Sequence, residues 1–141
     1  MSLTMSKTER ESFLAGLHVG IVSIPRSGRG PLTVPIWYAY EPGGDVWMVT
    51  GRDSVKGRLL QAADRISLCA QTEQAPYEYV SIEGPFIITE IEAGQLETMA
   101  IRYYGDEAGR AYAANAGSSS GSVVVSITPE SWFSVDYNKR S

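Results

Sequence analysis

The sequence feature that most constrains the fold is one long β-rich stretch, YEYVSIEGPFIITEIE at 77–92, which contains Gly84 and Pro85 near its middle. Proline cannot donate a ladder hydrogen bond and glycine has no side chain to pack, so such a pair marks a bulge or bend within a strand. A bent strand lets its sheet curl. The stretch therefore favours a small closed or partly closed sheet.

Shorter strands are predicted on both sides of this stretch. HVGIVSIP and LTVPIWYAYE flank the turn RSGRG, and VWMVT follows the hairpin signal EPGGD. RISLCAQ is a further strand, and VVVSITPESWFSVDY is predicted to form a closing hairpin around Thr128 and Pro129. Pro35 places its own strand at an edge or a bulge. About six strands are expected in total.

Helices are few in the predicted pattern. Ser6 and Glu9 form a capping box that begins a short helix ending near Gly16. A second short helix begins at Ser54, and 95–116 is helical by composition, with NAGSSSGS as a loop after it. A parallel α/β sheet would need a helix after most strands. The pattern therefore predicts a mainly β fold, a barrel of about six antiparallel strands with peripheral helices.

Length and charge narrow the class of protein. The 141 residues are expected to form a single domain over 1–141, with 1–4 as a candidate leader or disordered tail before a second start methionine, Met5. No apolar run approaches the ~20 residues of a membrane helix, so no membrane partner and a cytoplasmic location are expected. A net charge of -4 argues against nucleic acid and favours a small-molecule partner.

The sequence offers little catalytic chemistry of its own. The single cysteine, Cys69, is expected in the core and the single histidine, His18, is expected to be half-buried. One residue of each type excludes an internal disulfide and a Cys/His zinc set. Without clustered carboxylates, neither a Ser-His-Asp triad nor a metal hydrolase site is supported. No catalytic residue and no metal ligand is assigned.

The segment VTGRDSVKGRLLQ at 49–61 is the main candidate for a binding site. A predicted strand here runs into a helix whose first turn holds Ser54 and Lys56. Free N–H groups, a hydroxyl and an ammonium group could converge there on one anion, such as a phosphate. The alternative is that Asp53 or Ser54 only caps the helix, while Lys56 and Arg58 point into water.

The strand TVPIWYAY supplies a second part of the candidate site. A hairpin separates it from VWMVT, so the two strands are expected to pair. Pro35 and Trp37 mark a place where a flat ring can lie against exposed backbone. An apolar groove that ends in an anion site suits flavin mononucleotide (FMN). Packing in the core or at an interface is the alternative role for Trp37, Trp47 and Trp132.

The order of these elements resembles a known family. A short helix, GRGPLTVPIWYAY, a hairpin, VWMVTGRDSVKGRLLQAADRISLC and YVSIEGPF follow one another as in the pyridoxamine 5′-phosphate oxidase-like, FMN-binding split-barrel family. That family includes a bacterial branch that uses the deazaflavin F420. The resemblance spans nearly the whole chain and depends on the order of elements more than on any one residue. It implies a split β-barrel and a homodimer whose sites use both subunits.

The resemblance also implies roles for particular residues. The strand 33–38 would line the isoalloxazine and ribityl groups, residues 49–50 would lie near the ribityl phosphate, and Ser54 and Lys56 would hold that phosphate. Many flavin-binding members have an arginine where this chain has Val55, so either Arg52 or Arg58 compensates or the phosphate contact is weaker. The predicted cofactor-binding residues are Thr33, Val34, Pro35, Ile36, Trp37, Val49, Thr50, Arg52, Ser54, Lys56 and Arg58.

The implied function is a flavin-dependent oxidoreductase that moves a hydride between bound FMN, or F420 as the alternative, and a small organic substrate. F420 has a longer acidic tail, so it would require Arg26 and Arg29 to converge with the basic residues of 52–58. The chain ends without the Arg- and Trp-rich segment with which true pyridoxamine phosphate oxidases hold their substrate, so that activity is not expected. A non-catalytic carrier of flavin, F420 or haem, and a structural or stress-response barrel without a cofactor, are the alternatives.

Overall fold

The computed structural model describes residues 2–116 and 121–140, which form eight strands and four α-helices. The strands are β1 (Gly20–Arg26), β2 (Arg29–Ile36), β3 (Ala39–Tyr40), β4 (Val46–Gly51), β5 (Arg65–Gln71), β6 (Glu78–Glu90), β7 (Ser122–Ile127) and β8 (Ser131–Asp136). The helices are α1 (Lys7–Ala15), α2 (Val55–Leu60), α3 (Gln95–Tyr104) and α4 (Asp106–Asn115), and a 3₁₀ turn, Tyr137–Lys139, follows β8.

The sheet curls into a barrel that stays open between the two ends of its strand order. Its strand order is β2-β1-β5-β6-β7-β4-β3, every pairing is antiparallel, and β8 adds to β6. Helix α2 contacts both β1 and β4, although these strands lie near opposite ends of the order. The two ends therefore approach one another around α2. This is the mainly β, split-barrel architecture with peripheral helices that the sequence predicted, with eight strands in place of about six.

The bend predicted in the long strand is where β6 changes partners. It pairs with β5 over 79–85 on one side and with β8 over 78–83 on the other, and from Phe86 onward it pairs with β7. Gly84 lies directly under the β7–β8 connection, where a Cβ atom would stand 1.9 Å from the Thr128 carbonyl oxygen. Glycine is therefore required at this point because the two backbones touch.

The prediction of a closing hairpin was wrong. Strands β7 and β8 are consecutive along the chain, but they pair with the two halves of β6 instead of with each other. The connection between them is itself bonded to the bend: Thr128 N–H donates to the Pro85 carbonyl at 2.9 Å, and Glu130 N–H donates to the Glu83 carbonyl at 3.0 Å. The turn residues around Pro129 thus form a corner between two sheet segments.

The expected pairing of TVPIWYAY with VWMVT was wrong for most of its length. The chain leaves β2 at Ile36 and pairs with β4 only through β3, at Ala39 and Tyr40. Strand β2 pairs with β1 along its whole length, and its other edge is open among the described strands. Pro35 therefore lies on an edge strand, as expected.

The helices follow the predicted positions with one change. Ser6 and Glu9 form the complete capping box of α1, and Ser54 is the N-cap of α2. The segment expected to be one helix over 95–116 divides at Gly105, whose φ of 88° belongs to the left-handed region that favours glycine. The predicted loop at 115–122 includes residues 117–120, which lie outside the described residues. No helix within 2–116 or 121–140 has the length and apolarity needed to cross a bilayer.

Alternate side chains of the strands fill the barrel interior. Val22, Leu68, Val80 and Ile127 are buried there, and Leu14 brings α1 onto the same core. The strict alternation of buried and partly exposed residues along β1, β4 and β5 is the period-two pattern of strands with one face in a core. Cys69 belongs to the outer set and is half-buried, so its predicted place in the core was wrong.

Candidate functional site

The start of α2 is held in place by the Ser54 side chain. Its hydroxyl donates to the Gly51 carbonyl at 2.7 Å and accepts from the Gly57 N–H at 3.0 Å, and it lies 3.3 Å from the Thr50 hydroxyl. The Ser54 hydroxyl therefore acts as both hydrogen-bond donor and acceptor within the turn. This arrangement corresponds to the capping alternative of the sequence analysis, in which Ser54 supports the helix.

The basic residues of this segment differ in their surroundings. Arg52 forms an ion pair with Glu90, and Arg58 is exposed. Lys56 is half-buried in the first turn of α2, and no carboxylate within the described ranges lies close enough to form an ion pair with it. Among these three cations, Lys56 is thus the one that combines partial burial with freedom to bind an added anion.

The turn before α2 is unusually close to the helix. A Cβ atom at Gly57 would stand 2.2 Å from the Gly51 carbonyl oxygen and 2.4 Å from that of Arg52. Glycine at this position lets the first turn of α2 pack directly on the end of β4. The close packing fixes the start of the helix, and with it Lys56, relative to the strand.

The strand segments predicted to line the cofactor lie on open sheet edges. Strand β2 carries 33–36, and its edge away from β1 has no strand partner in the described part of the chain. Strand β4 pairs with β7 along 46–51, but β3 covers its other edge only at Val46 and Trp47. The backbone from Met48 to Thr50 therefore has no strand partner on the side away from β7, whereas the Gly51 carbonyl accepts from the Ser54 hydroxyl. Thr50 is buried on this strand, while Val49 is half-buried.

Trp37 lies between β2 and β3 and is covered by aromatic residues from α3 and α4, the helical pair. The Tyr103 ring stacks on it at 5.0 Å with an interplanar angle of 7°, and the Tyr104 ring meets it edge-on at 5.0 Å. The Tyr112 ring lies 5.5 Å from both Trp37 and Tyr104. This cluster was missed in the sequence, although RYYGDEAGRAY places three tyrosines within ten residues of a predicted helical segment.

Two residues of α3 anchor the segment that carries Trp37. The Arg102 guanidinium donates to the carbonyls of Tyr38 at 2.9 Å and Gly16 at 2.7 Å. The Tyr103 hydroxyl accepts from the Tyr38 N–H at 3.0 Å and lies 2.6 Å from the His18 carbonyl oxygen. The backbone polar groups of Tyr38, which no strand satisfies, are therefore satisfied by α3.

Tyr38 itself is a structural residue. Its ring is fully buried, and its hydroxyl donates to the Leu14 carbonyl at 2.7 Å. Burial, with a smaller contribution from Tyr103, raises the pKa of this phenol well above its ordinary value. Burial likewise raises the pKa of the Cys69 thiol. Both groups are held in their neutral forms, and neither is prepared for proton transfer near pH 7.

Arg26 and Arg29 occupy a different part of the surface from Lys56. They line a hollow of about 230 Å³ on the outer face of the sheet, together with Arg65 and Glu83. The Arg26 Nε group donates to the Gly30 carbonyl at 2.8 Å, and Arg65 is engaged by Glu83 and Glu130. None of the basic residues of 52–58 lines this hollow.

The curled sheet with two open edges defines a split β-barrel. A family model described as pyridoxamine 5′-phosphate oxidase matches residues 6–136. The chain therefore belongs to the pyridoxamine 5′-phosphate oxidase family. No curated protein matches the sequence.

Solved structures share the fold. A conserved hypothetical protein from Mycobacterium tuberculosis superposes with a TM-score of 0.79 and 24% identity, covering 98% of this chain and 89% of that one. A protein described as an F420 reductase gives a TM-score of 0.69 with 19% identity, covering 87% of this chain and 94% of that one. An FAD-binding protein from Mesorhizobium loti gives 0.65 with 20% identity, covering 93% and 94%. At these identities the comparisons show a common architecture.

Proposed function

We propose that this protein is a flavin-dependent oxidoreductase that binds FMN and acts on a small organic substrate. The observation that carries the proposal is the position of the predicted cofactor segments. Residues 33–36 and 49–50 lie on the two strands whose edges the barrel leaves open, and α2 packs against the end of β4 beside them. Open backbone groups of this kind are available to the polar edge of a flavin ring and to its ribityl chain.

The phosphate end of the proposed site depends on Lys56. Its ammonium group has no carboxylate partner in the described chain, and Lys56 belongs to the turn that Ser54 and Gly57 fix, in which the Ser54 hydroxyl lies 3.3 Å from the Thr50 hydroxyl. A cation without a carboxylate partner is available to a phosphate, and hydrogen bonds between two charged groups are stronger than those between neutral ones. Arg52 can contribute only by leaving Glu90, and the exposed Val55 offers no charge.

FMN is favoured over F420 as the cofactor. F420 would need a positive surface that continues beyond the phosphate, and Arg26 and Arg29 were the residues expected to supply it. They line a hollow with Arg65 that includes none of the basic residues of 52–58, which supports the compact FMN phosphate. F420 is kept as the alternative because one structural relative is described as an F420 reductase.

A bound flavin would supply the hydride chemistry, and the chain would supply binding and orientation. Lys56 would fix the phosphate, and Val49 and Thr50 would position the ribityl chain next to it. The segment from Thr33 to Trp37, at the end of β2, would hold the ring by backbone groups. Tyr103 and Arg102 keep this last segment rigid through the Trp37 ring and the Tyr38 backbone.

We propose further that the protein works as a homodimer. The family resemblance implies sites built from two subunits, and an open split in a single barrel leaves a ring-sized ligand exposed to water on one side. A second subunit would cover it. Partners other than the substrate and the second copy are not proposed.

Absorption spectroscopy of the purified protein, followed by titration with FMN and with F420, tests the proposal. We expect a yellow protein, or a colourless one that binds FMN at least as tightly as F420 and is thermally stabilised by it. F420 binding ten times tighter than FMN binding at physiological salt would reverse the choice of cofactor. If neither FMN nor F420 binds, the result would support the alternative of a barrel without a cofactor. A bound, reduced flavin that passes electrons to no acceptor in a broad panel would support the alternative function of a non-catalytic carrier.

A further inference from the structure

The open face of the aromatic cluster forms a groove with no charged lining. Val19, Pro35, Ile36, Trp37, Tyr104 and Tyr112 enclose about 340 Å³. Tyr104 and Tyr112 are 52% and 42% exposed, which is high for such large apolar side chains. The groove therefore presents ring faces and aliphatic groups to solvent beside the strand that carries the predicted cofactor residues.

The charges around the groove disfavour an anionic ligand. Helices α3 and α4 carry Arg102 and Arg110 as their cations. The Arg102 guanidinium is turned toward the carbonyls of Gly16 and Tyr38, and Arg110 lies 3.9 Å from Glu97. Neither lines the groove, so no cation on these helices is placed to hold a phosphate or a carboxylate.

The ring geometry also leaves no room for an aromatic cage around a cation. An ammonium ion enclosed by aromatic faces must fit between them, within ~6 Å of each ring centre. The rings of Trp37, Tyr104 and Tyr112 are only 5.0–5.5 Å from one another, so they are packed in mutual contact and leave no gap between them. The cluster is a continuous surface of ring edges and faces, against which a flat ligand can stack.

We propose that this groove binds an uncharged, planar aromatic group, and that this is the substrate class of the enzyme. The assignment of this group as the substrate rests on the proposed function, because residues 35–37 belong both to the groove and to the segment predicted to bind the flavin. Stacking and edge contacts with Tyr104 and Tyr112 supply the affinity. The absence of a lining cation means that a phosphate on the same ring reduces binding.

Calorimetric titration of the full chain without flavin tests the binding step, with 2-naphthol and 2-naphthyl phosphate as matched probes. We expect 2-naphthol to bind at least about fivefold more tightly than its phosphate ester. Tyr104→Ala and Tyr112→Ala should each weaken 2-naphthol binding by about threefold or more, the effect of losing one ring contact. Both residues are exposed, so the fold should survive, and circular dichroism verifies this.

Tyr77→Ala is the control, because Tyr77 is also 50% exposed but lines a separate surface with Tyr137 and Arg140. Equal binding of the two probes, or equal weakening by the control, would overturn the inference. Flavin titrations on the same preparations separate the two proposals. Flavin binding without 2-naphthol binding would contradict the proposed role of the groove alone. Binding of 2-naphthol without flavin binding would contradict the proposed function and, with it, the groove's role as a substrate site.

Discussion

At the scale of single residues, Lys56 carries the proposed phosphate contact. Lys56→Ala should weaken FMN binding by about 1.5–3 kcal/mol, the range for a hydrogen bond to a charged group. The free energy of unfolding of the flavin-free protein should change little, because no described carboxylate depends on this ammonium group. Fluorescence titration measures the first quantity and urea unfolding the second.

Lys7→Ala is the control for this prediction, since Lys7 is an exposed lysine in the first turn of α1. It should leave FMN affinity unchanged. If Lys56→Ala binds FMN as tightly as the Lys7 variant does, the phosphate is held elsewhere.

Glu9 gives a prediction about pH. Its carboxylate accepts from Lys139 at 2.9 Å and from the Ser6 N–H at 2.7 Å, and these bonds lower its pKa from 4.5 to about 2. Because the pKa is lower in the folded state, the stabilisation is present above pH 4.5 and is lost as the pH falls to about 2. Glu9→Gln should therefore lower the free energy of unfolding at pH 7 and have progressively less effect toward pH 2.

Urea unfolding at several pH values measures this difference. Glu73→Gln is the matched variant, because Glu73 is exposed and makes no ion pair with a described residue. A loss in Glu9→Gln that stays constant between pH 7 and pH 2 would show that the ionised carboxylate is not the cause.

The sequence predicted the residues whose roles depend on near neighbours. The capping box of Ser6 and the N-cap of Ser54 act within three residues of themselves, so local spacing was enough to find them. Tyr103 and Trp37 are 66 positions apart, and nothing local to either indicates that their rings stack.

At the scale of elements, the β7–β8 corner packs on β6 at Gly84, where β6 changes partners, and we expect this contact to be required for the barrel to close. Gly84→Ala places a methyl group against the Thr128 backbone, which cannot move as a side chain can. We expect a loss of about 3 kcal/mol in the free energy of unfolding, at the upper end of the usual cost of overpacking. Urea unfolding followed by circular dichroism measures it.

Gly30→Ala is the appropriate comparison for that variant. Gly30 is exposed on β2, and no atom lies within 4 Å of the Cβ position there. It should be nearly neutral. Similar stabilities for the two alanine variants would mean that the corner adjusts easily and that the contact at Gly84 does not determine closure.

The strands were predictable from the sequence, but their partners were less so. The side chains of β1, β4 and β5 indicate which residues are buried, because each strand has one face in the core. Pairing depends on groups that the side-chain pattern does not encode. The Thr128–Pro129 turn signal was correct as a change of direction, but its N–H groups bond to β6, so a corner formed where a hairpin was expected.

At the scale of the whole molecule, the outer face of the sheet offers a surface for the proposed dimer. Phe133 on β8 is 63% exposed and lies 6.1 Å from the Tyr79 ring, opposite the small residue Ser81. We expect a homodimer at micromolar concentration by sedimentation. Phe133→Asp should raise its dissociation constant at least about tenfold, because it removes a large apolar contact and buries a charge.

Ile87→Asp is the paired variant, since Ile87 is 61% exposed on the other half of β6. It should leave the dimer intact. A wild-type protein that sediments as a monomer with flavin bound would contradict the proposed assembly. Dissociation by the Ile87 change alone would place the interface on the opposite half of the sheet.

The helical pair is inserted between two strands that are already neighbours. Glu90 at the end of β6 pairs with Val123 near the start of β7, so the two ends of the insert are about 5 Å apart, the spacing of any hairpin. In terms of topology, α3 and α4 form an insert on which no strand pairing depends. Another helical pair could replace them without altering one strand pairing. The barrel and the strands proposed to bind the cofactor could thus stay constant while substrate preference diverged, provided that each replacement supplied new partners for the Tyr38 backbone.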